Sequence, residues 1–249
     1  MPYRIAMIAT VFVAATACIQ RQVELPPYAD PQVLFDSALT AYRQGECGWT
    51  RDAFARLSFE LDARDPLQPD TRYYVGECML RKGERLEATR QFRRVAEEYP
   101  RHMLAPDALL RSGDAYASLW NDPDLDPTYG EAAVATYREL LARYPASPAA
   151  ERAQLRIAAL EERFAEKEFK GGIFYLRLGA YDSAIIYFKE VVAQYARTSY
   201  APQAVMKLIE AYDKIGYVEE KREMCQYLWQ YYPDEEGAPQ ACPEQFATP

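Results

Sequence analysis

The hydrophobic and polar positions of this chain follow a register that repeats. Three alanines, Ala88, Ala133 and Ala184, are each followed four residues later by an aromatic residue, and seven residues after that by a tyrosine. A further alanine stands nine residues beyond each tyrosine. Spacings of four and seven place these side chains on one face of an α-helix. Because a small alanine lets a neighbouring helix approach closely, the pattern predicts stacked pairs of helices.

The register resembles that of the tetratricopeptide repeat, a helix-turn-helix unit of about 34 residues. Weaker copies align at Ala53 and at Lys221. The prediction is an all-α fold, a right-handed superhelical array of about five tetratricopeptide-like repeats, and the alternative is a generic helical bundle. The predicted repeats are 31–66, 67–104, 105–146, 147–199 and 200–233, followed by a C-terminal tail at 234–249.

Two intervals in the register are long. Ala88 and Ala133 are 45 residues apart and Ala133 and Ala184 are 51 apart, against 35 between Ala53 and Ala88. The segment 119–127 is acidic and interrupted by prolines, which predicts a loop inside the third repeat. The segment 159–169 has charged and apolar residues at helical spacing and no helix breaker, so we expect it to lengthen the first helix of the fourth repeat.

The chain begins with the pattern of an export signal. Arg4 precedes an apolar run of thirteen residues, Ile5–Ala17, which is shorter than the roughly 20 residues that span a bilayer. Small residues directly before Cys18 resemble a bacterial lipobox, which predicts a signal peptide at 1–17 and a lipidated tether at 18–30. Ile19, standing where an aspartate would resemble an inner-membrane signal, favours the outer membrane. The alternative is an ordinary signal peptide with Cys18 incidental.

Charge and motifs exclude several classes of protein. The 37 acidic residues outnumber the 29 basic ones, which disfavours binding to nucleic acid or to anionic lipid. The sequence has no phosphate-binding or dinucleotide-binding glycine motif. The sole histidine, His102, leaves no partner for a serine or cysteine nucleophile. Asp122, Asp124 and Asp126 begin like a calcium loop, but Pro127 stands where that loop must turn. No catalytic residue, cofactor or metal site is predicted.

Four cysteines remain besides Cys18. Cys47, Cys78, Cys225 and Cys242 are widely spaced and contain no C-x-x-C motif, so a zinc site is not expected. An even count in an oxidising compartment favours disulfides. Three pairings are possible, and proximity in the sequence favours Cys47–Cys78 and Cys225–Cys242. Buried free thiols are the alternative.

Several segments together are similar to the BamD family of outer-membrane assembly lipoproteins. They are Tyr144–Ser147, Leu160–Glu168, Phe174–Tyr175 and Arg177–Tyr181. The resemblance covers the mature chain and is weakest in the first repeat and after Pro233. It implies a protein without an active site, anchored at the periplasmic face of the outer membrane. Its implied partners are a BamA-like β-barrel assembly subunit, other assembly lipoproteins and unfolded outer-membrane proteins. A Tol-Pal-type periplasmic adaptor or a secretion-system lipoprotein is the alternative.

Two sets of candidate contacts follow. Aromatic and arginine side chains on the first helices suit client segments that end in an aromatic residue and a carboxylate. The client-binding candidates are Phe35, Tyr42, Arg72, Tyr73, Tyr74, Arg111 and Tyr116. The resemblance implies that repeats four and five contact the barrel subunit. The candidates there are Glu161, Arg163, Glu166, Lys167, Glu168 and Tyr212. The alternatives are that the aromatic side chains pack in the core of the array and that the charged side chains form a solvated face.

Overall fold

The computed structural model describes residues 30–243, which form eleven α-helices and no β-strand within that range. The leader, Cys18 and residues 244–249 lie outside the described residues. The helices are α1 (Pro31–Arg43), α2 (Cys47–Glu60), α3 (Gln68–Arg81), α4 (Arg85–Glu98), α5 (Ala105–Ala117), α6 (Thr128–Arg143), α7 (Pro148–Arg177), α8 (Tyr181–Gln194), α9 (Tyr200–Ile215), α10 (Val218–Tyr231) and α11 (Ala238–Ala241).

Helices α1 to α10 form five consecutive pairs over the described residues, so the predicted all-α repeat array is confirmed. Each helix packs against its neighbours in the sequence. The first helices also contact one another directly, α5 with α7 and α7 with α9, whereas the second helices of consecutive repeats have no comparable contact. The side of the array formed by the first helices α1, α3, α5, α7 and α9 is called the inner face below.

The aromatic residue of the register packs against a glycine of the first helix in the same repeat. A Cβ atom added at Gly113 would lie 2.3 Å from Cε1 of Tyr137, closer than any real Cβ contact. The same relationship joins Gly76 to Phe92 and Gly172 to Phe188. Since all three rings are fully buried, the missing side chain lets the paired helices approach at the ring. The helix pairs are closed by ring-on-glycine contacts.

The tyrosine of the register ties repeats two, three and five to the repeat before them. The hydroxyl groups of three tyrosines donate hydrogen bonds to backbone carbonyls of preceding inter-repeat turns. The pairs are Tyr99 to Ala63 at 3.1 Å, Tyr144 to Pro100 at 2.9 Å and Tyr232 to Ala196 at 2.8 Å. We call this contact the tyrosine latch. Tyr195 holds the same register position, but its ring instead stacks on Phe164, 6.1 Å away.

The fourth repeat begins with one long helix, as predicted. α7 has 30 residues, against 13 to 16 in the other four first helices. It begins where the side chain of Ser147 accepts a hydrogen bond from the backbone N–H of Ala150, with Pro148 in the first turn. Its first half packs in the core of repeat three, around Leu160 and Phe164, and its second half packs with α8 and α9. The acidic segment 119–127 is the loop between α5 and α6.

The C-terminal tail of the prediction begins with a helical turn that caps the array. Ala238 and Cys242 are fully buried against α9 and α10, and a disulfide joins Cys242 to Cys225. Ala241 stands nine residues beyond Tyr232, which continues the register alanine series. α11 is therefore a sixth first helix reduced to one turn, held in place by the disulfide.

The expected Cys47–Cys78 disulfide is not formed, so that pairing is wrong for this structure. Both residues are buried free thiols. Burial, followed by a hydrogen bond that the Cys78 thiol donates to the neighbouring Cys47, raises the pKa of Cys78 well above its usual range. Because the thiolate is the reactive form, this environment lowers the reactivity of the Cys78 thiol. The sulfur of Cys47 also accepts a contact from Arg81 at 3.8 Å.

Candidate binding surfaces

A chain of ion pairs crosses the inner face, starting at Glu77 of α3. The Glu77 side chain is 8 % exposed and binds Arg111 of α5 through both carboxylate oxygens, the Arg111 Nη2 donor lying 3.0 Å from Oε2. The hydroxyl group of Tyr42 in α1 donates a hydrogen bond to the same carboxylate at 3.1 Å. Burial and the charge of Glu77 raise the pKa of Tyr42 above its usual range, so this phenol remains a donor.

Asp114 continues the chain toward α7. It lies 3.3 Å from Arg111, accepts a hydrogen bond from Tyr137 at 2.8 Å, and pairs with Arg156 of α7 at 3.1 Å. Burial and the charge of Asp114 raise the pKa of Tyr137, which keeps this phenol protonated. The network therefore links the first helices of repeats one to four. Arg111, predicted to bind clients, has its charge neutralised by two carboxylates of the array itself.

The client candidates of repeats one and two meet in one aromatic cluster. Tyr74 lies 5.0 Å from Tyr42, stacks on Phe54 at 5.4 Å, and contacts Tyr73 at 5.6 Å. These three tyrosines are only half-buried, whereas Phe35 is buried beside Phe54. The cluster thus presents tyrosine edges on the inner face and keeps Phe35 in the core.

The remaining client candidates lie apart from this cluster. Arg72 pairs with Glu98 of α4 at 3.5 Å, and its Nε atom is buried without a hydrogen-bond partner. Tyr116 stacks on Tyr129, 6.4 Å away, near the start of α6. Arg72 therefore joins paired helices, and Tyr116 packs across the ends of the acidic loop.

The charges of α7 hold the acidic loop. The guanidinium of Arg163 lies 4.5 Å above the ring of Trp120 and donates a hydrogen bond to the Trp120 carbonyl. Lys167 donates hydrogen bonds to the carbonyls of Pro123 and Leu125 at 3.2 and 3.0 Å. Both side chains were predicted to contact the barrel subunit, and both are instead committed to the loop of the preceding repeat.

The other barrel-subunit candidates also have partners within the array. Glu166 pairs with Lys170 at 2.8 Å, and Glu161 approaches Arg138 at 3.8 Å. Burial and the nearby Glu190 raise the pKa of Glu168. Tyr212 is 3 % exposed and belongs to the core of repeats four and five. The structure gives this set intramolecular roles and does not bring it together as one surface.

A surface that sequence reasoning missed lies at the turns of repeats four and five. Leu178 precedes the left-handed Gly179 at the end of α7, and Tyr217 and Val218 follow the left-handed Gly216 at the end of α9. Their side chains are 65, 47 and 62 % exposed. Leu178, Tyr217 and Val218 form what we call the turn-edge patch. Apolar residues after helical runs look like a continued helix face in the sequence, so the pattern carried no separate signal for them.

The described residues contain no group of three or more histidine, cysteine, aspartate or glutamate side chains placed to hold a metal ion. None of the helices between residues 30 and 243 is both long and apolar enough to cross a membrane.

Comparison with known proteins identifies the family. The YfiO model, described as an outer membrane lipoprotein family, matches residues 27–228. This chain belongs to that family. The BamD outer membrane protein assembly factor of Caulobacter vibrioides is 31 % identical over 163 residues, which cover 66 % of this chain and 52 % of that protein. The BamD protein of Vibrio cholerae is 41 % identical over 93 residues, covering 37 % and 39 %.

The matched stretches span about half or less of these two relatives. Among solved structures, a tetratricopeptide-repeat protein from Bacteroides fragilis superposes with a TM-score of 0.53 at 14 % identity, over 88 % of this chain and 99 % of that one. That likeness supports the fold alone.

Proposed function

We propose that this protein is a non-catalytic, lipid-anchored scaffold of the machinery that assembles outer-membrane β-barrel proteins. The observation that carries the proposal is the family match over residues 27–228, joined by relatives that are themselves named outer membrane protein assembly factors. An array of helix pairs provides extended surfaces for other chains and needs no reactive group to do so. The chemistry of the described residues is consistent with binding.

The barrel assembly subunit is proposed to dock on the turn-edge patch. Exposed apolar side chains mark interaction surfaces, and the turns of repeats four and five carry three of them, Leu178 before Gly179 and Tyr217 and Val218 after Gly216. The charged side chains first considered for this role are committed to the acidic loop, as Arg163 and Lys167 show. The proposed docking site therefore lies in repeats four and five, as the resemblance implied. It consists of residues at the turns and not of the charged side chains of α7.

Unfolded outer-membrane clients are proposed to bind the inner face of repeats one to three. The half-buried rings of Tyr42, Tyr73 and Tyr74 offer stacking surfaces there, and Arg81, whose guanidinium lies 3.9 Å above the Tyr42 ring, adds an exposed charge. Such rings bind aromatic client residues through side-chain packing while the surrounding polar groups pair with backbone.

Docking is tested with charge substitutions in the full lipoprotein. Leu178→Asp and Val218→Asp should each lower co-purification of the barrel subunit about tenfold or more, as expected for central interface residues. Val33→Asp and Phe59→Asp, at exposed apolar positions of the first repeat, are the matched controls and should retain it. Undiminished co-purification by both turn-edge variants would refute this docking site. A truncation after residue 145 would remove repeats four and five entirely. It tests docking less cleanly than the point substitutions, because α7 shares a core with α6 and its loss would also disturb repeat three.

Client binding is tested by placing a photoreactive amino acid at Arg81, on the inner face, or at Arg90, exposed on α4. A peptide from the C-terminus of an outer-membrane barrel should crosslink at position 81 and not at position 90. Equal crosslinking at both positions would mean that the peptide has no preference for the inner face.

Anchoring rests on Cys18, which lies outside the described residues. Cys18→Ala should release the protein into the soluble periplasmic fraction, because several acyl chains are needed for stable attachment. A mature chain without an acyl adduct in mass spectrometry would contradict the anchor.

A further inference from the structure

The tyrosine that departs from the latch pattern opens onto a cleft. Tyr195 occupies the register position of Tyr99, Tyr144 and Tyr232, yet among the described residues its hydroxyl has no hydrogen-bond partner like theirs. α8 packs with the second half of the long helix α7, so Tyr195 lies beside Phe164 in the middle of α7 and not beside the turn before it. A cavity of about 260 Å³ remains between α6, α7 and α8.

The cleft has an aromatic floor and acidic walls. Phe164 and Tyr195 form the floor, with nearly parallel rings 14° apart, and Glu131, Glu161 and Gln194 stand around it. At this size the cavity fits one long side chain and falls below the roughly 300 Å³ at which small-molecule pockets begin.

The negative charge of the cleft is only partly balanced. Burial, and then the carboxylates of Glu168, Glu190, Glu131 and Glu161, raise the pKa of Tyr195. Arg138 is the one cation lining the cavity within the described chain; it is 67 % exposed and approaches Glu161 only at 3.8 Å. The site therefore holds more negative than positive charge around an open phenol ring.

The ring stack beneath the cleft shows which cation fits. Trp120 stacks on Phe164 at 4.4 Å, and Phe164 stacks on Tyr195. At the Trp120 end the stack is covered by the guanidinium of Arg163, 4.5 Å from the ring. At the Tyr195 end no described cation covers the ring. The ring stack therefore has a guanidinium over its Trp120 end and, among the described residues, no cation over its Tyr195 end.

We propose that this cleft receives an arginine side chain from a partner protein. The planar guanidinium stacks on Tyr195 and forms paired hydrogen bonds with the carboxylates of Glu131 and Glu161, displacing Arg138 from the rim. Arginine is favoured over lysine because it combines ring stacking with two-pronged carboxylate binding. The site lies on α6, α7 and α8, apart from the turn-edge patch and from the tyrosines of repeats one and two, so it can fail or hold independently of the proposed function.

The first test uses small probes on the mature chain with labelled tyrosine rings. N-acetyl-arginine N-methylamide should shift the Tyr195 ring signals, assigned with Tyr195→Phe, in a saturable way. The uncharged isostere N-acetyl-citrulline N-methylamide should shift them at least tenfold less at equal concentration. Equal shifts from both probes, or arginine shifts confined to other tyrosines, would overturn the proposal.

Variants separate a binding role from a structural one. Glu131→Gln combined with Glu161→Gln should weaken arginine binding tenfold or more, whereas Glu219→Gln combined with Glu220→Gln, two exposed carboxylates of α10, should leave it unchanged. Arg138→Ala should strengthen arginine binding several-fold because it removes the competing internal cation. Unchanged or weaker binding in Arg138→Ala would contradict the assigned geometry.

The partner is tested in cell envelopes with a photoreactive residue at the exposed Ala135 beside the cleft. The captured peptide should contain an arginine at the crosslinked segment, and the capture should be lost in the double glutamine variant of Glu131 and Glu161. Capture of segments without arginine, capture of lipid alone, or capture that survives the double variant would refute the proposal.

Discussion

Arg93 of α4 donates a hydrogen bond to Glu139 of α6 across a sequence separation of 46 residues, at 3.2 Å. Arg143 donates to the same carboxylate at 2.6 Å and, through its other terminal nitrogen, to the carbonyl of Ala96 at 2.6 Å. These contacts link the second helices of repeats two and three through side chains, where the helices themselves do not pack closely. The carboxylate at their centre makes this link sensitive to pH.

Glu139 should make the array less stable in acid. Burial by itself would raise the pKa of Glu139, but hydrogen bonds from Arg143 and Arg93 outweigh it and lower the pKa below the ordinary 4.5. A carboxylate with a lower pKa in the folded chain stabilises it above pH 4.5, and this contribution is lost as the pH falls through the folded-state pKa. Urea denaturation at about pH 6 and pH 3 should show a smaller acid loss in Glu139→Gln than in wild type. An equal loss in both proteins would remove Glu139 as a cause, and Glu220→Gln serves as the exposed control.

The tyrosine latches should contribute to stability individually. Tyr144→Phe and Tyr232→Phe each remove one hydrogen bond to a backbone carbonyl, so we expect a loss of about 0.5–1.5 kcal/mol in the free energy of unfolding. Tyr195→Phe, which removes a hydroxyl outside the latch series, should cost less than about 0.5 kcal/mol. Chemical denaturation of the three variants provides the comparison. A loss in Tyr195→Phe as large as in Tyr144→Phe would mean that the latch is not the source of the effect.

Replacing a glycine at one of the ring contacts should lower the free energy of unfolding. Gly113→Ala would place a methyl group 2.3 Å from the Tyr137 ring, which forces the helices apart and should cost about 1–3 kcal/mol. Gly48→Ala is the matched control, because its nearest neighbour is the Lys82 ammonium at 3.9 Å and it lies in the first turn of α2. That control should be neutral or slightly stabilising. Thermal unfolding that ranks the two variants in the opposite order would contradict the close packing of α5 and α6.

The disulfide should stabilise the C-terminal cap. Cys225 and Cys242 are 17 residues apart, and closing a loop of this size stabilises a folded chain by about 3 kcal/mol in the chain-entropy description. Cys242→Ser should therefore increase hydrogen exchange in α10 and α11 while leaving α1 to α4 unchanged. Uniform exchange increases across the array would show that the cap acts globally.

Thiol counting checks the cysteine states separately. Under denaturing, non-reducing conditions, Cys47 and Cys78 should react with a thiol reagent, and in the folded protein their burial should make this reaction slow. Absence of reactive thiols after denaturation would mean that this pair is oxidised in the isolated protein.

The sequence was sufficient for the helix pairs because residues such as Ala133, Tyr137 and Tyr144 recur at the same local spacings in successive repeats. It was insufficient for the partners of α7, because Arg163 and Lys167 bind backbone carbonyls more than forty residues earlier, on a loop whose path follows no periodicity. Tyr195 shows the same limit, since an identical register position has a different partner when the preceding helix is longer. The helical turn α11 was missed, because the sequence analysis ended the array at residue 233 although Ala241 stands nine residues after Tyr232, as the register alanines do in earlier repeats.

The length of α7 has a consequence for how the molecule unfolds. In a regular array each repeat contacts only its neighbours, so repeats can open one after another. α7, about 45 Å long at 1.5 Å per residue, contributes buried side chains to the core around Leu160 as well as to the core around Ala165. Neither core can be exposed without disturbing the other. Repeats three to five should therefore melt together as one cooperative block, while the pair of repeats before them opens at lower cost.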